Sequence, residues 1–426
     1  MRKLKKLMTI GATIALTLSL AACGSNQSGG VSSEGEKEGV TILEVWSRDN
    51  VAALLETPVK EFNESQDKVE VKVTPIPANA FAEQYATALA AKKAPDVVTL
   101  DLVHVPYFAS IGAFKDITPE FDQLEYKDQL TEAMVNLGQV EGKQYAVPLS
   151  ADVSGLIYNK DHFREVGLDP EKPPVTWQEL REYAKKLTKD NRYGYVYAAG
   201  APGTLMFNFL PFVWGNGGDI TSDDGKKALI GSDEAVEALQ FMTDLTQKDK
   251  VAPPGSPTYQ GQNAFDAFTT GSASMIVYGN FKVSELNLNY PDIDYGVALI
   301  PKNEGKEHSS FAGGDLVAIS ADTDKEEAAW DFINFALSEK VQVEFFAKNG
   351  TIPVREDFFD NKYFQEEPKY QVFTEALKLA KTPYSTKHNE ILRIWNTTQE
   401  ALMGEKDPKE VFEKQEQEIQ KILDSK

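Results

Sequence analysis

The chain has 426 residues, 42% of them hydrophobic and 26% charged, a globular composition that excludes wholesale disorder. Its 44 Lys and Arg stand against 65 Asp and Glu, and a net charge of −21 excludes a general nucleic-acid binder and a body adsorbed on anionic lipid. One Cys leaves no intrachain disulfide, so the fold must live on its core. A high charge of one sign also favours a soluble monomer.

In chain order, residues 1–6 are basic, 7–20 are apolar and uncharged, and small residues follow. This is the layout of a secretory signal, too short to span a membrane. It ends in Leu20-Ala21-Ala22-Cys23-Gly24, which resembles the lipobox of bacterial lipoproteins. There, cleavage falls before the Cys and its thiol takes a diacylglyceryl group. The expectation is a signal peptide over 1–22, then lipidated Cys23 and a flexible tether over 23–39 whose sequence offers little to bury. Two or three acyl chains anchor stably where one is marginal. The body would then sit on the outer face of the bacterial cytoplasmic membrane, held through Cys23 only.

From residue 40 strand-like and helix-like stretches alternate. Strands are expected at 41–46, 69–73, 95–100, 145–149, 155–158, 275–278, 295–300 and 316–319, mostly as short apolar runs of the kind found in parallel sheets. Val51, Leu54, Leu55, Val59 and Phe62 fit a helix that Pro58 should bend or interrupt. Thr176-Trp177-Gln178-Glu179 is a capping box ahead of Leu180, Ala184 and Leu187. Ser232 can cap a helix through Ala235, Leu239 and Met242, and Glu326 and Glu327 open another with Ala329, Ile333 and Ala336 inward. Residues 408–423 read as a C-terminal helix. Such alternation implies α/β architecture with mostly parallel sheets in two lobes.

Several chemistries have no sequence basis. The P-loop pattern does not occur, Gly215-Asn216-Gly217-Gly218 lacks the last glycine of a dinucleotide fingerprint, and no G-x-S-x-G elbow appears. His104, His162, His308 and His388 are scattered without an H-E-x-x-H, so neither zinc nor any other cofactor is expected. With 65 acids, some carboxylate pair is inevitable and argues nothing for glycoside cleavage.

What the sequence does hold is aromatic and short polar residues at strand ends. Trp46 closes the first strand and Asp49 follows it. Asp101 follows the third, and Asp152 lies between 145–149 and 155–158. Trp214 and Asn216 sit in a glycine-rich stretch, Tyr278, Asn280 and Phe281 end another strand, and Gly314 and Asp315 precede one. Arg393 and Trp395 complete the candidate set. Ligands of open α/β sheets bind outside the carboxyl ends of strands. A sugar asks for carboxylates and amides against its hydroxyls and a flat aromatic wall against its C–H faces.

Read together, Ala94-Pro95-Asp96-Val97-Val98, the stretch 145–168 with the run Pro174-Val175-Thr176-Trp177, Trp214-Gly215-Asn216-Gly217-Gly218, residues 267–281, Phe311-Ala312-Gly313-Gly314, Trp330-Asp331-Phe332-Ile333 and Gly350-Thr351-Ile352-Pro353 resemble the extracellular solute-binding proteins, family 1, of bacterial ABC importers. The resemblance covers essentially the whole body and includes the maltodextrin-binding protein as a distant relative. It implies a two-lobed periplasmic-binding-protein-like fold of type II, with a ligand cleft between lobes joined by a hinge. By its pattern, residues 40–150 with 301–362 would form lobe one, and 151–300 with 363–426 lobe two. It implies no enzyme, but a carbohydrate carrier, of an oligosaccharide, serving permease subunits driven by a cytoplasmic ATPase. In the maltodextrin relative an acid and a ring contact sugar at the positions of Asp152 and Phe281. Near Leu100 and Asp101 that relative has an aromatic which this chain lacks, so maltose itself is doubtful.

Other readings stay open on the sequence. A polyamine would suit acidic pocket residues, and a glycerol phosphodiester would need a basic clamp from Arg48 or Arg393. A lipid-anchored glycoside hydrolase or surface adhesin is the rival class.

Overall fold

The computed structural model describes residues 39–425. The expected signal peptide, Cys23 and nearly all of the tether lie outside them. None of the described helices is long and apolar enough to cross a membrane.

The fold starts as a βαβαβ run: β1 (Thr41–Arg48), α1 (Asp49–Ser65), β2 (Val69–Ile76), α2 (Phe81–Ala90) and β3 (Val97–Asp101). Crossover helices make β1 parallel to both β2 and β3. Helix α1 runs on through Pro58 without interruption, burying Val51, Leu55 and Phe62.

Two long strands then organise the rest. β4 (Ala146–Asn159) merges the two short strands expected there into one of 14 residues. β7 (Ser310–Ile319) lies antiparallel to both β3 and β4. Beyond it, β5 (Met275–Gly279) and β6 (Tyr295–Ala298) pair antiparallel with the far end of β4. The order is β2-β1-β3-β7-β4-β5, with β6 also on β4. The expectation of mostly parallel sheets is therefore corrected: β1 with its two neighbours and the two-residue strand 380–381 on β7 are parallel, and the other pairings named here are antiparallel, because β4 and β7 traverse the molecule in opposite senses.

Separate apolar cores flank these long strands. One gathers Val45, Val71, Leu100, Val153, Leu316, Phe332 and Phe373. Another gathers Leu156, Trp177, Phe209, Leu239, Trp395 and Phe412, beside a smaller cluster around Phe265 and Ile276. β4 feeds Val153 into the first and Leu156 into the second, so the fold is two-lobed α/β with its cores joined by continuous strands. Phe364, Tyr370 and Leu377 pack with the first core, whereas Ile391 packs with the second.

The second core is built from helices the sequence marks unevenly. α3 (Trp177–Leu187) has the expected capping box, Glu179 N–H donating to Thr176 Oγ1 at 3.2 Å and Thr176 N–H to Glu179 Oε2 at 3.3 Å. α4 (Pro202–Gly215) is nearly all apolar and buried, which hides its period. α5 (Asp233–Gln247) is capped by Ser232 as expected. α6 (Phe281–Asn289), α7 (Glu326–Ala336), α8 (Lys369–Lys378), α9 (His388–Ile394) and α10 (Pro408–Asp424) complete the elements used below.

Candidate ligand-binding site

Where β4 and β7 cross from one core to the other, a cavity of about 530 Å³ opens, within the usual range for small-molecule sites. Arg48 reaches it from the end of β1, Asp101 from the end of β3, and Asp152 from the middle of β4. Tyr278 and Phe281 come from the junction of β5 and α6, Phe207 and Asn208 from α4, Phe311 from β7 and His388 from the start of α9.

Two glycines of β7 make room. The carboxylate of Asp152 lies where a side chain on Gly313 would have to go. Gly314 has φ +122°, and a Cβ there would run into the Ser150 carbonyl of β4. The Gly313-Gly314-Asp315 stretch lies inside β7 rather than ahead of it, and these close approaches are what it supplies.

The floor of the cavity is charged. Arg48 Nη1 donates to Asp101 Oδ2 at 2.9 Å, and Nη2 pairs with the fully buried Asp315. Burial works against the Arg48 charge, but Asp315 and Asp101 outweigh it and its pKa is raised. Burial pushes Asp315 up to about 6 although Arg48 pulls the other way. Asp152 is pushed up to about 7, chiefly by burial, against the pull of Arg48 and with the push of Asp101 and Asp315. Burial holds His388 down to about 3 and lowers His104, so both imidazoles are neutral near pH 7. The two rings meet edge-on with centroids 6.0 Å apart.

The wall is aromatic. Phe207 contacts Phe311 at 5.4 Å and Phe281 at 6.4 Å between centroids, and Phe281 meets Tyr278 at 5.7 Å. Phe281 is 47% exposed and lines the cavity, so about half of its ring surface is free to meet a ligand there.

The candidates read from the sequence divide in two. Asp101, Asp152, Tyr278, Asn280, Phe281 and Gly314 line the cavity, and Asp315 lies directly beneath, paired with Arg48. Asn280 is committed structurally: its Oδ1 accepts from Val153 N–H at 2.8 Å and its Nδ2 donates to the Gly350 carbonyl at 2.9 Å.

The remaining candidates lie elsewhere. Trp214 belongs to the last turn of α4, not to a glycine-rich loop; it is buried, donates Nε1 to Asp219 Oδ1 at 2.9 Å and backs Phe311 at 5.7 Å. Asn216 is buried and donates to the Glu234 carbonyl and Glu237. Trp395 is fully buried against Phe209 and Phe412. Trp46 lines a separate groove beside Glu83 and Gln84, Asp49 is exposed and accepts from Asn50 N–H, and Arg393 is exposed. Sequence reading missed Phe207, Phe311, His104 and His388 as lining residues. Only Phe311 carried a signal, its place ahead of the paired glycines.

Residues 47–343 match the family described as bacterial extracellular solute-binding protein, well over half of the chain. The chain belongs to that family. This solute-binding protein is 26% identical to the galactooligosaccharide-binding protein of Bacillus subtilis, over 97% of its own length and 96% of the relative's. It is similar to a solved ABC transporter solute-binding protein of Thermotoga lettingae bound with α-D-tagatose, at 26% identity and TM-score 0.80, covering 90% of this chain and all of that one. It is also similar to maltose-bound MalE3 of T. maritima, at 28% identity and TM-score 0.78, covering 89% and 99%. As a solute-binding protein it is a carrier and not an enzyme, working outside the cytoplasm.

Proposed function

We propose that this protein is the lipid-anchored substrate-binding component of an ABC importer and that it carries a neutral oligosaccharide. The observation that carries the reading is one cavity holding both surfaces a sugar needs. Phe207, Phe281 and Phe311, tilted against one another, offer apolar ring faces, and Asp101 and Asp152 offer planar acceptors in the same cavity. The relatives named or solved with sugars support the same class.

Ligand held from both sides of the crossing would favour the closed arrangement by its differential contacts. The closed form then docks on the permease, and a cytoplasmic ATPase supplies the energy. Following the cores, lobe one is 40–150 with 312–377 and lobe two is 154–309 with 388–425, the chain crossing at 151–153, 310–311 and 378–387. Cys23 is the anchor and 24–39 the leash.

A glycerol phosphodiester is the weaker reading, because Arg48 is already taken by two carboxylates and Arg393 does not line the cavity. A thermal-shift panel of neutral oligosaccharides, spermidine and glycerophosphodiesters tests the reading. Ligand at a hundred times its Kd adds about 2.7 kcal/mol of stability, readily seen in Tm. A shift with one neutral sugar series is expected. A shift with spermidine or a phosphodiester alone would overturn it.

A further inference from the structure

We infer that the cavity excludes anionic ligands by charge, and that Asp152 is the residue that sets the exclusion. This deepens the proposed function and rests on it. Among the described residues Arg48 is the one cation in the lining, and its guanidinium is shared between Asp101, Asp315 and, at 3.4 Å, the Gly314 carbonyl. Asp152 has no such partner. It accepts no hydrogen bond from the described residues, and its carboxylate faces the cavity across the bare backbone of Gly313.

The titratable and charged groups around it are few. Arg48 comes from β1, Asp101 and His104 from the end of β3 and the turn after it, Asp315 from β7 and His388 from α9. Burial opposes the charging of both histidines, lowering His104 from its ordinary value and holding His388 down to about 3. With every carboxylate ionised, three negative charges oppose one positive. A neutral sugar meets this floor with hydroxyls, which donate to carboxylates at no charge cost. A uronate or phosphate brings a further negative charge into a low-dielectric site that has no cation to spare.

The exclusion is graded by pH. Asp152 and Asp315 take up protons as pH falls from 8 to 5, while Arg48 keeps its charge, so the floor moves toward neutrality and an anion is tolerated better. A like charge about 6 Å from Asp152, at an effective dielectric constant of about 20, weakens binding on the order of a hundredfold.

The test titrates the protein with neutral glucose, galactose and arabinose oligosaccharides and with uronate forms of the same sugars, at pH 8 and pH 5. At pH 8 the uronate is expected to bind about a hundredfold more weakly than its neutral partner. The ratio shrinks at pH 5 and in Asp152→Asn at pH 8, and stays put in the exposed Asp49→Asn. Equal affinity for both forms at pH 8 would overturn the inference. So would a ratio unchanged in Asp152→Asn, with folding verified by circular dichroism. Failure of every neutral sugar would instead remove the carbohydrate reading and this inference with it, and a uronate bound alone would contradict both.

Discussion

Replacing Phe281 by Ala separates a ligand wall from a packing residue. The ring is 47% exposed, resting on Tyr278 and against Gly279 at the start of α6. Full burial of a Phe side chain is worth about 1.5–3 kcal/mol, so the half already covered accounts for roughly 1 kcal/mol of folding stability. A ligand face covering the rest forfeits a similar amount when the ring is gone, and losing the stacking geometry raises this to about 1–2 kcal/mol. That corresponds to a Kd about 5 to 30 times weaker. Isothermal titration with the sugar found in the thermal-shift panel reads the affinity, and calorimetric melting reads the stability. A folded variant whose Kd stays within about twofold would remove Phe281 from the site. A loss of stability above about 3 kcal/mol would make it a core residue instead.

Other perturbations read other parts of the account. Trp214→Ala empties a buried site behind Phe311 and takes one of the donors from Asp219, so it should cost about 3–5 kcal/mol of stability in a denaturant melt, with any loss of affinity secondary to unfolding. Unchanged stability would mean that Trp214 does not carry the packing assigned to it. Asn280→Ala leaves Val153 N–H and the Gly350 carbonyl unpaired, and should cost roughly 2–4 kcal/mol. Asp152 holds its proton up to about pH 7 in the fold, against 3.8 as its ordinary value, so its contribution to stability falls as pH rises through that window. Half-buried His104 and buried His388 act oppositely below their ordinary 6.5, because the unfolded chain takes up the protons they refuse. The difference between Asp152→Asn and the parent isolates the carboxyl: calorimetry should show the variant's relative stability growing from pH 4 to pH 8, and a flat difference would refute the placement of Asp152.

Much of the scaffold is legible in the sequence where local chemistry dictates structure. The Thr176 box, the Ser232 cap and the apolar faces of α5 and α7 follow from side chains a few positions apart. β4 is harder, since the stretch 150–154 around Asp152 reads as a gap between two strands. The chain runs on through it because β7 pairs along the near half of β4, with a register shift between Pro148 and Ser150. α4 gives no period because it is buried nearly all round, and this is why Trp214 looks like a loop aromatic when it is a buried strut. The site follows the same division. Asp101, Asp152 and Phe281 could be read from strand ends and family resemblance. Arg48 could not be placed at the centre, because its partners, Asp101 and Asp315, are brought to it only by the order of β1, β3 and β7.

The most direct test is a crystal structure with the oligosaccharide that gives the largest thermal shift. The account predicts a sugar ring against Phe281 and Phe207, with hydroxyls on Asp152 and Asp101, between the lobes. Density for the sugar in the acidic groove lined by Glu132, Asp219 and Lys381, with this cavity holding only water, would contradict it.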